Sequence, residues 1–170
     1  MRLLICIQAV DLDDPLMGFF HRWLEEAAKQ FSAITILALR VGRYNLPSHV
    51  QVVPLRPKGS RSRCEVIKTL FQEAWIRRKE YDAVFVRGDP HYVILASWLW
   101  RLLGKRIVFW YAHYRVSYAA VLASAFAHVT VASVKASYDH PWVKPVFIGQ
   151  NIDRSRFPLR TIEPVSKLRC

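Results

Sequence analysis

Two hydrophobic patterns alternate along this chain. One is a short, nearly unbroken apolar run, as strands buried on both faces show. The other is a longer segment in which apolar residues return every three to four positions, as on one side of a helix. Arg2–Gln8 opens with a run of the first kind. A helix is predicted from about Pro15 to Gln30, with Phe20, Trp23, Leu24, Ala27, Ala28 and Phe31 on one side. Strands follow at Ile34–Leu39 and Val50–Leu55, with a turn from Gly42 to Pro47 between them. A second helix, about Ser62 to Lys79, carries the stripe Val66, Ile67, Leu70, Phe71, Ala74 and Trp75, which reads as core-facing. Strand Ala83–Arg87 leads to Asp89 and Pro90, a helix cap and first helical position. That helix stops at Gly104, a good residue just past a helix end. Then come strand Arg106–Trp110, helix Ser117–Ala127 and strand Val129–Ala132. Ala136–His140 is at most a short helix, and Pro145–Ile148 a last strand. Strand–helix alternation of this kind predicts a Rossmann-like α/β fold: a parallel sheet of about seven strands with helices on both faces.

Composition narrows the class. The chain has 170 residues, of which 52% are hydrophobic, enough for one good core and too few for two full α/β domains. Residues 1–153 read as one domain. Residues 154–170 read as a linker and the truncated start of another. The net charge of +12 calls for an anionic partner: nucleic acid, a lipid surface or a phosphorylated substrate. Three cysteines without close spacing (Cys6, Cys64, Cys170) argue against a disulfide framework and a zinc site, and fit a reducing cytoplasm. The run Leu3–Val10 is followed by aspartates where a signal peptide would place small residues. The weakly polar run Tyr118–Val134 falls short of the ~20 residues a spanning helix needs.

Several segments carry chemistry. Asp11, Asp13 and Asp14 follow the first strand. Carboxylates at that spacing can share a hard cation, or they cap the helix and meet its dipole. A strand followed by Asp-x-Asp also resembles haloacid dehalogenase-like phosphatases. That family has Gly-Thr after the second aspartate, where Asp14 and Pro15 stand here. Gly18 lies near a helix start, where a missing side chain lets a phosphate approach backbone amides. Arg87 and His91 fall at the carboxyl end of a strand, the edge at which open α/β sheets place ligands. So does His113, just past strand Arg106–Trp110, with Tyr111 and Arg115 beside it; rings with polar tips suit a sugar. Basic residues cluster at Arg56, Lys58, Arg61 and Arg63 and again at Arg77, Arg78 and Lys79, around the second helix. This suits attachment to anionic headgroups, with Phe71 and Trp75 assigned to the core. No recognised nucleic-acid motif accompanies the charge.

Taken together these segments resemble the N-terminal half of a GT-B glycosyltransferase, nearest the family 4 retaining enzymes. The matching pieces are Asp11 to Gly18 and Phe19 to Glu25, Tyr81 to Val86, Leu99 to Lys105, Trp110 to His113, and Gly149 to Asp153 ahead of Phe157. The resemblance implies transfer of a sugar from a nucleotide-sugar to a glycan, glycolipid or lipid acceptor, with retention. It implies no metal and no cofactor other than the nucleotide-sugar as donor substrate. His113 would be the catalytic residue near the transferred sugar and Gly18 part of the donor-phosphate loop. Arg87, His91, Tyr111 and Arg115 are acceptor-binding candidates, and Arg56, Lys58, Arg61, Arg63, Arg77, Arg78 and Lys79 membrane-surface candidates. The expected location is cytoplasmic, peripheral at the inner face of the membrane. The family's donor-binding residues belong to a second domain, so the 170 residues alone are expected to transfer sugar poorly or not at all. The alternative is a non-catalytic basic α/β module that binds anionic lipid or nucleic acid.

Overall fold

A computed structural model describes residues 1–15, 18–56, 62–113, 115–135, 138 and 140–149. Lys58, Arg61, most of the expected short helix 136–140 and the expected linker 154–170 lie outside them. The elements are β1 (Arg2–Val10), α1 (Gly18–Ala28), β2 (Ala33–Val41), β3 (Val50–Pro54), α2 (Arg63–Ile76), β4 (Ala83–Arg87), α3 (Pro90–Leu102), β5 (Arg106–Tyr111), α4 (Tyr118–Phe126), β6 (Val129–Ala132) and β7 (Val146–Phe147). They correspond one for one to the seven strands and four longer helices that the hydrophobic pattern predicts. Asp89 caps α3 as expected, its carboxylate accepting from the His91 backbone N–H, and Ser117 does the same for α4 through Ala120.

All strands run parallel in the order β3-β2-β1-β4-β5-β6-β7. The chain builds outward from β1 through β2 to β3, then crosses back to lay β4 on the other side of β1. This reversal is the topological switch point of a doubly wound sheet. β1, beside that switch point, is correspondingly apolar: Leu4, Ile5, Cys6 and Ile7 are fully buried. Burial pushes the Cys6 thiol pKa well up, so the thiol is an inert core group.

Side chains alternate between two cores. Leu3, Ile5, Ile7, Ile34 and Ile36 pack against Phe20, Leu24 and Ala28 of α1. Leu4, Cys6, Val84, Val86, Ile107 and Phe109 pack against Leu70, Val93, Ala96, Trp100 and Ala120 of α2, α3 and α4. No helix joins β2 to β3, so α1 is the only helix on its side among the described residues. The connection is fastened to α1 by histidines instead. Buried His21 accepts the Asn45 backbone N–H at 3.0 Å through Nε2, and His49 Nε2 lies 2.9 Å from the Ala28 carbonyl oxygen.

One core expectation fails. Val66, Leu70 and Ala74 of α2 are buried, but Trp75 is 52% exposed. It lies on the outer side of α2, beside Trp98 and Leu102 of α3 and away from the sheet.

Arg2 clips the start of β1 to β4. Its guanidinium donates to Asp82 at 2.7 Å and its backbone N–H to the same carboxylate at 2.9 Å. These bonds hold the Asp82 carboxyl down at about 2, below the ~3.9 of an unfolded chain. Its stabilisation is therefore present above pH ~4 and lost as the pH falls toward 2. The pair is exposed, so we expect Asp82→Asn to cost no more than about 1 kcal/mol at neutral pH. Thermal melts should show that difference closing between about pH 4 and pH 2; a gap that stays constant with pH would refute the assignment.

Candidate functional site

Because every strand is parallel, all carboxyl ends lie on one rim. The loops after β1, β4 and β5 are neighbours there, on either side of the switch point. They carry Gly18, Arg87 with His91, and His113.

Arg87 ends β4 and is in register with Trp110 of β5. Its guanidinium lies 4.4 Å from the Phe20 ring centre, 5.0 Å from Trp110 and 5.3 Å from Phe19. Trp23 stacks on Phe20 at 4.6 Å and on Phe85 at 5.1 Å, closing an aromatic box between α1 and the sheet. Burial brings the arginine down to about 10, so it stays charged at neutral pH. The faces of the rings partly replace the lost water. The result is a fixed positive charge beneath the rim at the switch point.

His91 is exposed, and its Nδ1 lies 2.8 Å from the Asp89 carboxylate. Asp89 therefore both caps α3 and steadies the imidazole. His113 sits two residues past β5, exposed, with its ring 4.9 Å from the Tyr111 ring. Tyr111, expected at the ligand surface, is a core residue. Its hydroxyl donates to the Arg115 carbonyl at 3.0 Å, and its ring meets Tyr138 edge-on. Burial of the ring and use of its hydroxyl make it the anchor of the loop that presents His113 and Arg115. Arg115 itself is exposed.

Gly18 begins α1. Its N–H donates to the Asp14 carbonyl at 2.8 Å, and a Cβ there would stand 2.9 Å from the Leu12 carbonyl oxygen. The glycine is thus required by the loop folding back over the helix start, with or without a phosphate.

The three aspartates fasten this loop to the end of β2. Asp11 accepts from the backbone N–H groups of Asp13 and Arg43. Asp13 takes the Arg43 guanidinium in a forked pair at 2.7 and 3.0 Å, and Asp14 pairs with Arg40 at 3.0 Å. No set of three His, Cys, Asp or Glu that could hold a metal occurs among the described residues. The carboxylates of Asp11 and Asp13 are engaged in building the rim. Sequence reasoning missed the partners Arg40, Gly42 and Arg43. The signal was their position right after an apolar run, opposite an acidic one.

The basic cluster divides. Arg56 and Arg63 lie toward the rim end of α2, and Arg77, Arg78 and Lys79 at its far end, one helix length or ~20 Å away. Arg77 is held by Glu73 and Glu80 at 2.7 and 3.0 Å and by Gln51, so its charge is spent inside the protein. Arg78 lies over the Trp75 ring at 4.6 Å.

The sequence matches no family model and no curated protein. Solved structures match the fold. MurG of Acinetobacter baumannii aligns over 96% of this chain and 50% of its own, at 14% identity and a TM-score of 0.59. Anabaena Alr3699/HepE, solved in complex with UDP and glucose, aligns over 93% and 50%, at 16% identity and a TM-score of 0.56. UDP-GlcNAc 2-epimerase of Methanocaldococcus jannaschii aligns over 81% and 40%, at 17% identity and a TM-score of 0.53. The fold is therefore that of one Rossmann-like lobe of the GT-B architecture. The chain spans half or less of the length of these structures.

Proposed function

We propose that this chain is the acceptor-side lobe of a glycosyltransferase that moves a sugar from a nucleotide-sugar to a glycan, glycolipid or lipid acceptor with retention. The observation that carries this reading is the convergence of the loops after β1, β4 and β5 on one rim at the switch point, with His113 upon it and the Arg87 guanidinium beneath it. In this reading a second α/β lobe, following on from residues 154–170, binds most of the nucleotide. His113 hydrogen-bonds the donor sugar as positive charge develops at its anomeric carbon. The leaving phosphate helps take the acceptor proton, so no dedicated base is needed on this lobe. Arg87 supplies fixed positive charge at the rim. His91 and Arg115 contact the acceptor, and Gly18 belongs to the loop that approaches the donor diphosphate. The charge of +12 favours an acceptor presented at an anionic membrane, with the protein attached peripherally. None of the helices among the described residues is long and apolar enough to cross a membrane.

The test is product analysis with a panel of nucleotide-sugars and lipid or polysaccharide acceptors. The 170-residue chain and the protein purified from its native source are assayed side by side. The native preparation is expected to form a glycoside that keeps the donor's anomeric configuration, and the 170 residues alone little or none. An inverted product would remove retention, and robust turnover by the short chain would remove the division of labour between lobes. The likeness to the epimerase supports a second reading. A C2-epimerised nucleotide-sugar formed without any acceptor would establish it.

A further inference from the structure

The C-terminal halves of α2 and α3 lie side by side on the outside of the molecule, away from the sheet. Between them is an apolar groove lined by Phe71, Trp75, Trp98, Leu99, Leu102 and Leu103. Trp75 and Trp98 are 52% and 55% exposed, and Leu102 is 78% exposed. Phe71 and Trp98 meet ring to ring at 5.8 Å. Two indoles and a leucine standing open together on one helix pair are not accounted for by either core.

The surroundings of the groove are basic. Arg78 lies over the Trp75 ring, and Lys68, exposed, falls on the same side of α2 one turn before Phe71. Lys79, exposed, follows the helix. Glu73 and Glu80, the nearby acids, are paired with Arg77.

This charge selects the occupant. A second copy of a +12 chain would bring like-charged margins together. An anionic bilayer offers the complement: headgroups for the margin and an acyl boundary for the groove. Indole rings prefer that boundary, where the ring is buried and the N–H stays wet. Arginine and lysine stems reach along apolar surface while their heads remain at the headgroups.

We propose that the α2–α3 groove is the membrane-docking face, with Trp75, Trp98 and Leu102 entering the headgroup–acyl boundary of an anionic bilayer. This rests on the peripheral attachment in the functional reading and carries it from charge alone to insertion at a defined face. The face lies toward the end of the helices opposite the rim. The rim thus stays free for a second lobe while the protein is docked.

The experiment uses the full 170-residue chain with phosphatidylcholine vesicles, with and without phosphatidylglycerol, and with brominated acyl chains as fluorescence quenchers. The unaltered chain is expected to sediment with the phosphatidylglycerol vesicles, and its tryptophan emission to be quenched by bromine. The double variant Trp75→Ser, Trp98→Ser should bind about tenfold more weakly or worse and lose most of the quenching, with an unchanged circular dichroism spectrum. Binding of the unaltered chain without bromine quenching would overturn insertion and leave charge attachment standing. Equal binding by the double variant would overturn the groove. No binding to any vesicle would overturn both. A dimer of the unaltered chain that the double variant abolishes would assign the groove to a second copy and overturn the proposal.

Discussion

His113→Ala, in a preparation that transfers sugar, is expected to lower kcat by about 10²- to 10³-fold, the usual effect of removing one preorganised hydrogen-bonding group, here an acceptor for a sugar hydroxyl whose proton grows more acidic as positive charge develops. The effect should fall on kcat with KM nearly unchanged, because the bond strengthens only as the anomeric centre becomes positive. Stability should barely change. The imidazole is exposed, and Tyr111 rather than His113 anchors its loop through the Arg115 carbonyl. His113→Gln, which keeps a hydrogen-bonding tip, should recover part of the rate. A variant that melts as the parent does and transfers at the parental rate would take His113 out of the mechanism. A rise in KM alone would make it a binding residue.

The second large effect is expected at a glycine that makes room for the loop after β1. A Cβ on Gly42 would stand 2.2 Å from the Asp11 carboxylate. Even alanine there must expel that carboxylate from its bonds to the Asp13 and Arg43 backbone N–H groups. Displacing this partly exposed carboxylate and losing two exposed hydrogen bonds should cost about 1–2 kcal/mol. That lowers the melting temperature by several degrees in a chain of this size. The cause can be isolated by a double-mutant cycle. Asp11→Ala removes the group that Gly42→Ala collides with, so the double variant should be more stable than the sum of the singles predicts. Strict additivity would show that the collision is relieved some other way.

Much of this molecule is legible in the residue pattern because its core is segregated so cleanly. The strands are short runs of Leu, Ile and Val, and the helices between them carry stripes, so element order and parallel pairing follow almost without choice. The rim is legible for the same reason: Arg87 and His113 must lie at strand ends once the sheet is parallel. Side-chain surroundings are another matter. A stripe in α2 marks Trp75 as apolar without telling whether another element extends far enough to cover it. Tyr111 looks like a ring beside a ligand loop, yet the alternation of β5 turns it inward. The three aspartates invited metal, capping and nucleophile readings. Their arginine partners stand about 30 residues further along the chain, at a distance no local pattern spans. The basic cluster appears continuous because a helix brings its two ends close in sequence while holding them a helix length apart in space.

The place of β1 has a consequence for how the chain is made. It leaves the ribosome well before one of its two partners, β4, which begins about eighty residues later. At translation speeds of about 5–20 residues per second, the strand waits about 4–16 s with one edge open. Leu3 to Val10 is the kind of segment that then finds wrong neighbours. The acidic residues that follow it, later clasped by arginines, act meanwhile as charged gatekeepers for the nascent chain.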